Sequence, residues 1–357
     1  MALLKLKMNN STLTPENLLS QWPSNLDGHL HYCIGLSGGI DSVVLLHLFK
    51  QLSLIKPLKL SAIHVNHGIS ANANDWQDFC SELCANWQIP LTLAQVSVIK
   101  LGGEGLENSA RKLRYAEYAK TATEVIILAH HQDDQIETML SQLLRGSDIH
   151  NLAAMHPQIK RREQIFWRPL LNYTKTQLSA YAKLNALKNI SDESNYDNHY
   201  LRNFLRNKII PELIEHDSHV VAKLMHSLHS LQNSVKLNDD LAQTDFISCC
   251  TEDKHGLQRN LFRQLNELRQ FNLLTWYITQ QNLALPNQKR LQEFIRQINT
   301  ARLDRHPALI LNSQFNLIAN SKFIQIQKVI VHNLTERNAA NTTDFGDVDN
   351  KNQHNRY

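Results

Sequence analysis

The sequence predicts an α/β fold: a doubly wound parallel sheet, followed by a smaller, mostly α-helical domain with a short β-meander. Three observations predict it. Short apolar runs rich in β-branched residues alternate with helical stretches through the first two hundred residues. Three of those runs end in polar, chemically loaded residues. Beyond about Tyr200 the alternation stops and long helical patterns rich in Leu, Gln and Asn take over. Strand–helix alternation of this period favours a parallel sheet covered by helices on both faces.

The elements follow in order. Residues 1–30 are a largely polar lead-in with a short helix expected near Pro15–Gln21. Strands are expected at Tyr32–Leu36, Leu60–Val65, Leu91–Val98 and Val125–Ala129, with a weaker one near Phe166–Arg168. Helices are expected between them, at about Asp41–Leu54, Asn72–Trp87, Leu106–Thr121 and Asp133–Leu144, and then at Lys175–Leu184. Residues 31–200 therefore read as one α/β domain. Residues 201–330 read as the helical domain, with Pro211 kinking or dividing its first helix. Alternating runs at Ala308–Leu311, Phe315–Ile318 and Phe323–Ile330 give the meander. Residues 331–357 are Asn- and Asp-rich and poor in apolar side chains, so a disordered tail is expected.

The formal net charge of +4 marks a mild basic bias that permits a nucleic-acid partner without requiring one. Five cysteines without a Cys-x-x-Cys pair exclude the usual zinc spacing and fit reduced, buried thiols. No secretory leader or membrane span is visible, so a cytoplasmic protein without a membrane partner is expected.

Ligand crevices of such sheets lie at the C-terminal ends of the strands. The first strand ends in Ser37-Gly38-Gly39, and Ile40-Asp41-Ser42 opens the next helix. Adjacent glycines let successive N–H groups converge on an anion, and the helix N-terminus adds its unpaired N–H groups. No Gly-Lys-Ser/Thr follows, so this is not a Walker A loop. An ordinary glycine turn before a helix would look the same locally. The second strand ends in His64-Val65-Asn66-His67-Gly68, where His67 reads as a hydrogen-bonding residue rather than a zinc ligand. The fourth ends in His130-His131-Gln132-Asp133-Asp134, with Glu137 one turn on. Asp134 and Glu137 share a helical face and would repel unless a cation, a metal or an ammonium group, separates them. Arg111 and Arg114 lie on neighbouring faces of the helix after the third strand and either pair with carboxylates or point at a phosphate. Lys160, Arg161, Arg162, Arg168, Arg202, Arg206 and Lys208 gather near the domain junction and together suit a polyanion.

In combination these motifs resemble a known family. Ser37 through Ser42 resembles the phosphate loop of the N-type ATP pyrophosphatases, the PP-loop superfamily. His64 through Ser70, Glu107 through Tyr115, Ala129 through Gly146, Arg168-Pro169-Leu170, Asp192 through Asn195, Arg202-Asn203, Arg206 and Pro211 follow in the order of the tRNA(Ile)-lysidine synthetases. The resemblance covers about Tyr32 to Pro211 and is weak beyond. It implies adenylation of the wobble cytidine of a CAU anticodon in tRNA(Ile) by ATP, then displacement of AMP by free L-lysine. It also implies site roles. Ser37, Gly38, Gly39, Ile40, Asp41, Ser42 and His67 would bind ATP, with Asp41 on its Mg2+. Asp41, Arg111, His131 and Asp134 would be catalytic, with His131 or a carboxylate taking the proton of the attacking amine. Asp134 and Glu137 would bind lysine, and Arg114, Arg145, Arg202 and Arg206 would contact tRNA or phosphate. A homodimer is compatible with this reading. Longer members carry a further C-terminal domain that grips tRNA, whereas this sequence ends in a polar tail, either as a naturally short form or by truncation, which leaves open how initiator tRNA(Met), with the same anticodon, is rejected. A tRNA 2-thiolating enzyme of the same superfamily is the alternative. It would need a catalytic cysteine, and Cys80 and Cys84 fall on a helix away from the expected rim.

Overall fold

The computed structural model describes residues 12–28, 31–97, 106–161, 163–302 and 304–329. The expected disordered tail, the start of the lead-in and Arg162 lie outside them. The chain divides into two compact units, residues 1–238 and 239–357.

The first unit opens with α1 (Pro15–Ser20). Its Thr14 side chain accepts from the Asn17 N–H, an N-cap that satisfies one free donor. A six-stranded sheet follows, formed by β1 (His31–Gly35), β2 (Lys59–Asn66), β3 (Leu91–Gln95), β4 (Val125–Ile127), β5 (Gln158–Arg161) and β6 (Gln164–Trp167) in the order β3-β2-β1-β4-β6-β5. Tyr32 of the central strand pairs in parallel with Leu60 on one side and Val125 on the other. Tyr32, Cys33 and Ile34 are all buried, as a strand covered on both faces must be.

The connections are α2 (Ile40–Leu52), α3 (Ala73–Trp87), α4 (Leu106–Lys120), α5 (Gln132–Leu144), α6 (Ile149–Leu152) and α7 (Lys175–Leu184). Val43, Val44, Leu45, Leu46, Leu48 and Phe49 of α2 are fully buried in the main core. Removing such side chains from water contributes about 1.5–3 kcal/mol each. One expectation needs correcting at the sheet edge. β5 pairs antiparallel with β6, so the sheet is not wholly parallel. Its sequence, Gln-Ile-Lys-Arg, carries the charge typical of an edge strand and gives no apolar run to read.

Beyond residue 200 come α8 (Leu201–Phe204), a wider π-turn at Leu205–Ile209, α9 (Ile210–His216) and the long α10 (Val220–Cys249). Pro211 sits in the first turn of α9, where its missing N–H costs least. Met225 and Leu228 pack with Ile136 and Met139 in a small separate core. That packing carries the first unit to residue 238, past the boundary expected at 200.

In the second unit, β7 (Gly256–Gln258), α11 (Arg259–Phe262), α12 (Glu267–Gln280) and α13 (Gln288–Thr300) precede the meander of β8 (Ala308–Ile310), β9 (Phe315–Ala319) and β10 (Phe323–Lys328). The sheet is antiparallel in the order β7-β10-β9-β8. Three-residue β7 was not foreseen, being too short for a readable alternation. Phe262, Leu273, Leu274, Ile278, Phe294, Leu317 and Ile324 form this unit's core.

Candidate active site

A cavity of about 910 Å³ opens at the C-terminal ends of β1, β2 and β4. It lies at the upper end of the roughly 300–1,000 Å³ usual for ligand sites. The glycine loop forms one wall. Gly38 has φ +86°, and a Cβ there would stand 2.5 Å from Ile190 Cδ1 and 3.2 Å from Cys80 Sγ. Only glycine fits. Gly39 differs, because the nearest atom to an added Cβ is Ser37 Oγ at 3.5 Å.

The serines hold this loop in shape. Ser42 Oγ donates to the Gly39 carbonyl at 2.9 Å and accepts from the Ser37 N–H at 3.2 Å. The Ile190 N–H donates to the Gly38 carbonyl at 3.0 Å, which ties the segment Asn189–Asn195 to the loop. Gly39 N-caps α2 without any side-chain cap, so the helix opens bare onto the cavity that Gly39, Ile40, Asp41 and Ser42 line. Free N–H groups with a dipole behind them are an anion site.

Asp41 does not face this wall alone. Lys175 Nζ lies 2.7 Å from both of its carboxylate oxygens. Lys175 is the first residue of α7, an electrostatically poor place for a cation. That misplacement was the sequence signal for it, and it went unread. His131 stands between three carboxylates, 3.7 Å from Asp41, 3.4 Å from Asp133 and 3.5 Å from Asp134. Burial alone would lower its pKa, but the neighbouring carboxylates Asp133, Asp41 and Asp134 push it up to about 9, although Nδ1 makes no hydrogen bond of normal geometry. His131 is therefore an imidazolium at neutral pH. In this state it holds its proton among the three carboxylates.

The cation between Asp134 and Glu137 is arginine, twice over. Arg202 reaches Asp134 Oδ1 at 2.5 Å and Glu137 Oε2 at 2.8 Å. Arg206 donates to Glu137 at 2.6 and 2.8 Å. Burial works against the charge on Asp134, yet His131 and Arg202 hold its pKa at about 2. Arg202 and Arg206, expected at tRNA or phosphate, are here paired with carboxylates. Four anions (Asp41, Asp133, Asp134, Glu137) meet four cations (His131, Lys175, Arg202, Arg206), and the network is charge-balanced.

Arg111 and Arg114 line the cavity, as does His67, whose pKa is lowered to about 4 by burial and by Arg114. The expected hydrogen bond of His67 is not made at Nδ1, which is buried without a partner. Arg145, at the C-terminal end of α5, is exposed and lines no part of the cavity. Tyr115 and Tyr118, unforeseen as site residues, complete the wall beside Arg111. Cys80 lies against the back of the glycine loop, nearer the site than expected. It is fully buried, and burial pushes its thiol to about 12, with Cys84 at about 11. Such thiols are inert. Among the described residues no cluster of His, Cys, Asp and Glu forms a metal cage, and no helix is long and apolar enough to cross a membrane.

The PP-loop domain family matches residues 12–213, and the TilS substrate binding domain matches residues 257–316. The tRNA(Ile)-lysidine synthase of Nitrosomonas europaea is 38% identical over 284 residues, covering 78% of this chain and 61% of that protein. That of Chromobacterium violaceum is 38% identical over 299 residues, covering 83% and 68%. That of Haemophilus influenzae Rd is 38% identical over 293 residues, covering 80% and 66%. The chain thus spans about two thirds of the length of these relatives. Among solved structures, the U34-tRNA thiolase NcsA from Methanococcus maripaludis aligns with 61% of this chain at 17% identity and a TM-score of 0.49.

Proposed function

Because this chain belongs to the tRNA(Ile)-lysidine synthase family, we propose that it joins L-lysine to the 2-position of the wobble cytidine in the CAU anticodon of tRNA(Ile), using ATP. The observation that carries the reading is one cavity with two kinds of wall. A bare helix N-terminus behind a glycine loop suits phosphates, and Asp41 and Asp134, the two carboxylates of the network that line the cavity, suit an amine.

The chemistry has two steps. The 2-carbonyl oxygen of the base attacks the α-phosphorus of ATP, and pyrophosphate leaves. The ε-amino nitrogen of lysine then attacks C2, AMP leaves with the carbonyl oxygen, and the nitrogen loses its proton. A ring carbonyl is a poor electrophile until its oxygen becomes part of a phosphate leaving group. The glycine loop and α2 receive the departing pyrophosphate, and Arg111 offsets the charge that grows on the phosphates. A base in a loop reaches such a crevice at less cost than a base in a duplex.

A magnesium ion carried by ATP would need only one or two protein carboxylates and would offset charge on the phosphates. Asp41 fits that part. It is anionic, stands at the loop, and holds an ammonium that a divalent ion can exchange for. Free lysine needs the same exchange at Asp134 and Glu137, where its ammonium replaces a guanidinium. With His131 protonated, the amine's proton passes to a carboxylate of this set, and His131 orients Asp41, Asp133 and Asp134. Arg114 contacts phosphate, and the second unit engages the tRNA.

The test supplies ATP, labelled lysine and an unmodified tRNA(Ile) transcript with a CAU anticodon. Label is expected in the tRNA, dependent on ATP and lost in Asp41→Ala and Asp134→Ala. Incorporation that persists in Asp134→Ala overturns the lysine site, and sulfur transfer without lysine incorporation overturns the function. A parallel reaction with tRNA(Met) reads discrimination by a chain of this length.

A further inference from the structure

Three guanidiniums converge on one phenol beside the cavity. Arg111 donates to Tyr115 Oη at 3.3 Å, and Arg168 approaches the same oxygen at 3.5 Å. The guanidinium carbons of Arg111 and Arg161 stand 5.0 and 4.5 Å from the centre of the Tyr115 ring. Like charges this close repel. Several other arginines are paired with carboxylates, whereas buried Arg259 is held by backbone carbonyls alone. Arg202 and Arg206 pair with Asp134 and Glu137, Arg269 with Asp245, and Arg296 with Glu293. Among the described residues no carboxylate pairs with Arg111, Arg161 or Arg168. Arg168 is only 5% exposed, yet its Nε has no hydrogen-bond partner. Its one close bond is to the His156 carbonyl, at 2.9 Å.

We propose that Arg161 and Arg168, with Arg111 as the inner member, form a phosphate subsite separate from the glycine loop, and that it holds a backbone phosphodiester of the RNA strand that brings the base into the cavity. The placement supports an RNA strand over a nucleotide. Arg111 and Tyr115 line the cavity wall, whereas Arg161 is exposed on β5, beside exposed Lys160. The charge therefore runs from inside the cavity to the outer surface, along the path a polymer must follow and a free nucleotide need not. A guanidinium stacked on an aromatic face keeps its N–H edges free for two-point contact with phosphate oxygens. Tyr115 thus acts as the platform that keeps repelling arginines together until an anion arrives.

This inference rests on the RNA-directed reading above, and the experiment separates the two. Binding of a CAU anticodon stem-loop RNA is measured against salt concentration for the wild type, Arg161→Ala, Arg161→Lys and Arg168→Lys. ATP binding is measured separately without RNA. Arg161→Ala is expected to weaken RNA binding roughly three- to tenfold and to reduce the slope of log affinity against log salt by about one, as loss of one phosphate contact requires. Arg161→Lys keeps the slope and loses only part of the affinity. ATP affinity stays within about twofold of wild type, since each variant leaves the loop intact. Because Arg161 is at the surface, its variants report even where Arg168→Lys fails to fold. Unchanged RNA affinity and slope in Arg161→Ala overturns the inference, and so does an equal loss of ATP affinity, which makes the anion the nucleotide's own. A wild type that ligates lysine while Arg161→Ala binds RNA normally removes the subsite alone. A wild type that binds no RNA removes the RNA-directed reading with it.

Discussion

Lys175 Nζ sits 2.7 Å from both carboxylate oxygens of Asp41, joining the start of α7 to the first turn of α2. The contact neutralises the one carboxylate that stands in the anion-binding wall. Without the ammonium, Asp41 would face incoming phosphates as a bare negative charge. Replacing Lys175 with Met is expected to slow pyrophosphate release by roughly two- to fivefold, since an ion pair whose lysine is 43% exposed contributes up to about 1 kcal/mol. A magnesium titration of the variant checks the cause. If Lys175 only stands in for the ion, high magnesium restores the rate.

His131 makes stability depend on pH. Its folded pKa, about 9, lies above the ordinary value of 6.5, so the folded state binds the proton more tightly than the unfolded chain does. The stabilisation is complete below pH 6.5 and is lost as pH rises through about 9. Melting temperatures measured from pH 6 to 10 should fall more steeply for the wild type than for His131→Gln. Parallel curves would show that His131 carries no proton in the folded state.

The two glycines of the loop predict opposite phenotypes. Gly38→Ala places a methyl against Ile190 in a left-handed backbone conformation and should cost about 1–3 kcal/mol of stability, read by urea unfolding. Gly39→Ala meets nothing closer than 3.5 Å and should melt within a degree or two of wild type. Its defect should instead be in ATP affinity, because Gly39 lines the cavity at the uncapped start of α2.

Glu137 is 1% exposed and accepts from both Arg202 and Arg206. Glu137→Gln keeps the shape but removes one charge from a balanced set of eight, leaving two guanidiniums on Asp134. Breaking a buried pair from one side typically costs about 3–5 kcal/mol. Unfolding in urea should show a loss in the lower part of that range, because both arginines are partly solvated. A double variant with Arg206→Met should recover part of it.

The main strands of the first unit were legible because Tyr32–Leu36 and Val125–Ala129 are continuous apolar runs, as burial on both faces demands. The loop was legible for a different reason: two adjacent glycines at a strand end announce a backbone that side chains would obstruct. What escaped the sequence was pairing at a distance. Nothing near Asp41 shows that its partner is Lys175, and nothing near Asp134 shows that Arg202 and Arg206 return to it from beyond the expected domain boundary. Helical spacing did reveal that Asp134 and Glu137 need a cation between them. It could not name the cation, because that depends on where a later helix folds back. β5 and β7 were missed because short edge strands carry too few alternating residues to stand out.

The position of β1 also bears on how the protein is made. Tyr32 pairs with Leu60 on one edge and with Val125 on the other, so an early strand occupies the middle of the sheet. As the chain leaves the ribosome, β1 and β2 can pair early, but the far edge of β1 stays open until β4 has been synthesised. Long-range parallel pairing of this kind closes slowly. The glycine loop hangs from the end of that half-paired strand, and Gly38 receives its hydrogen bond from Ile190 only later still. A growing chain therefore cannot complete the loop wall of the cavity until most of the first unit has emerged.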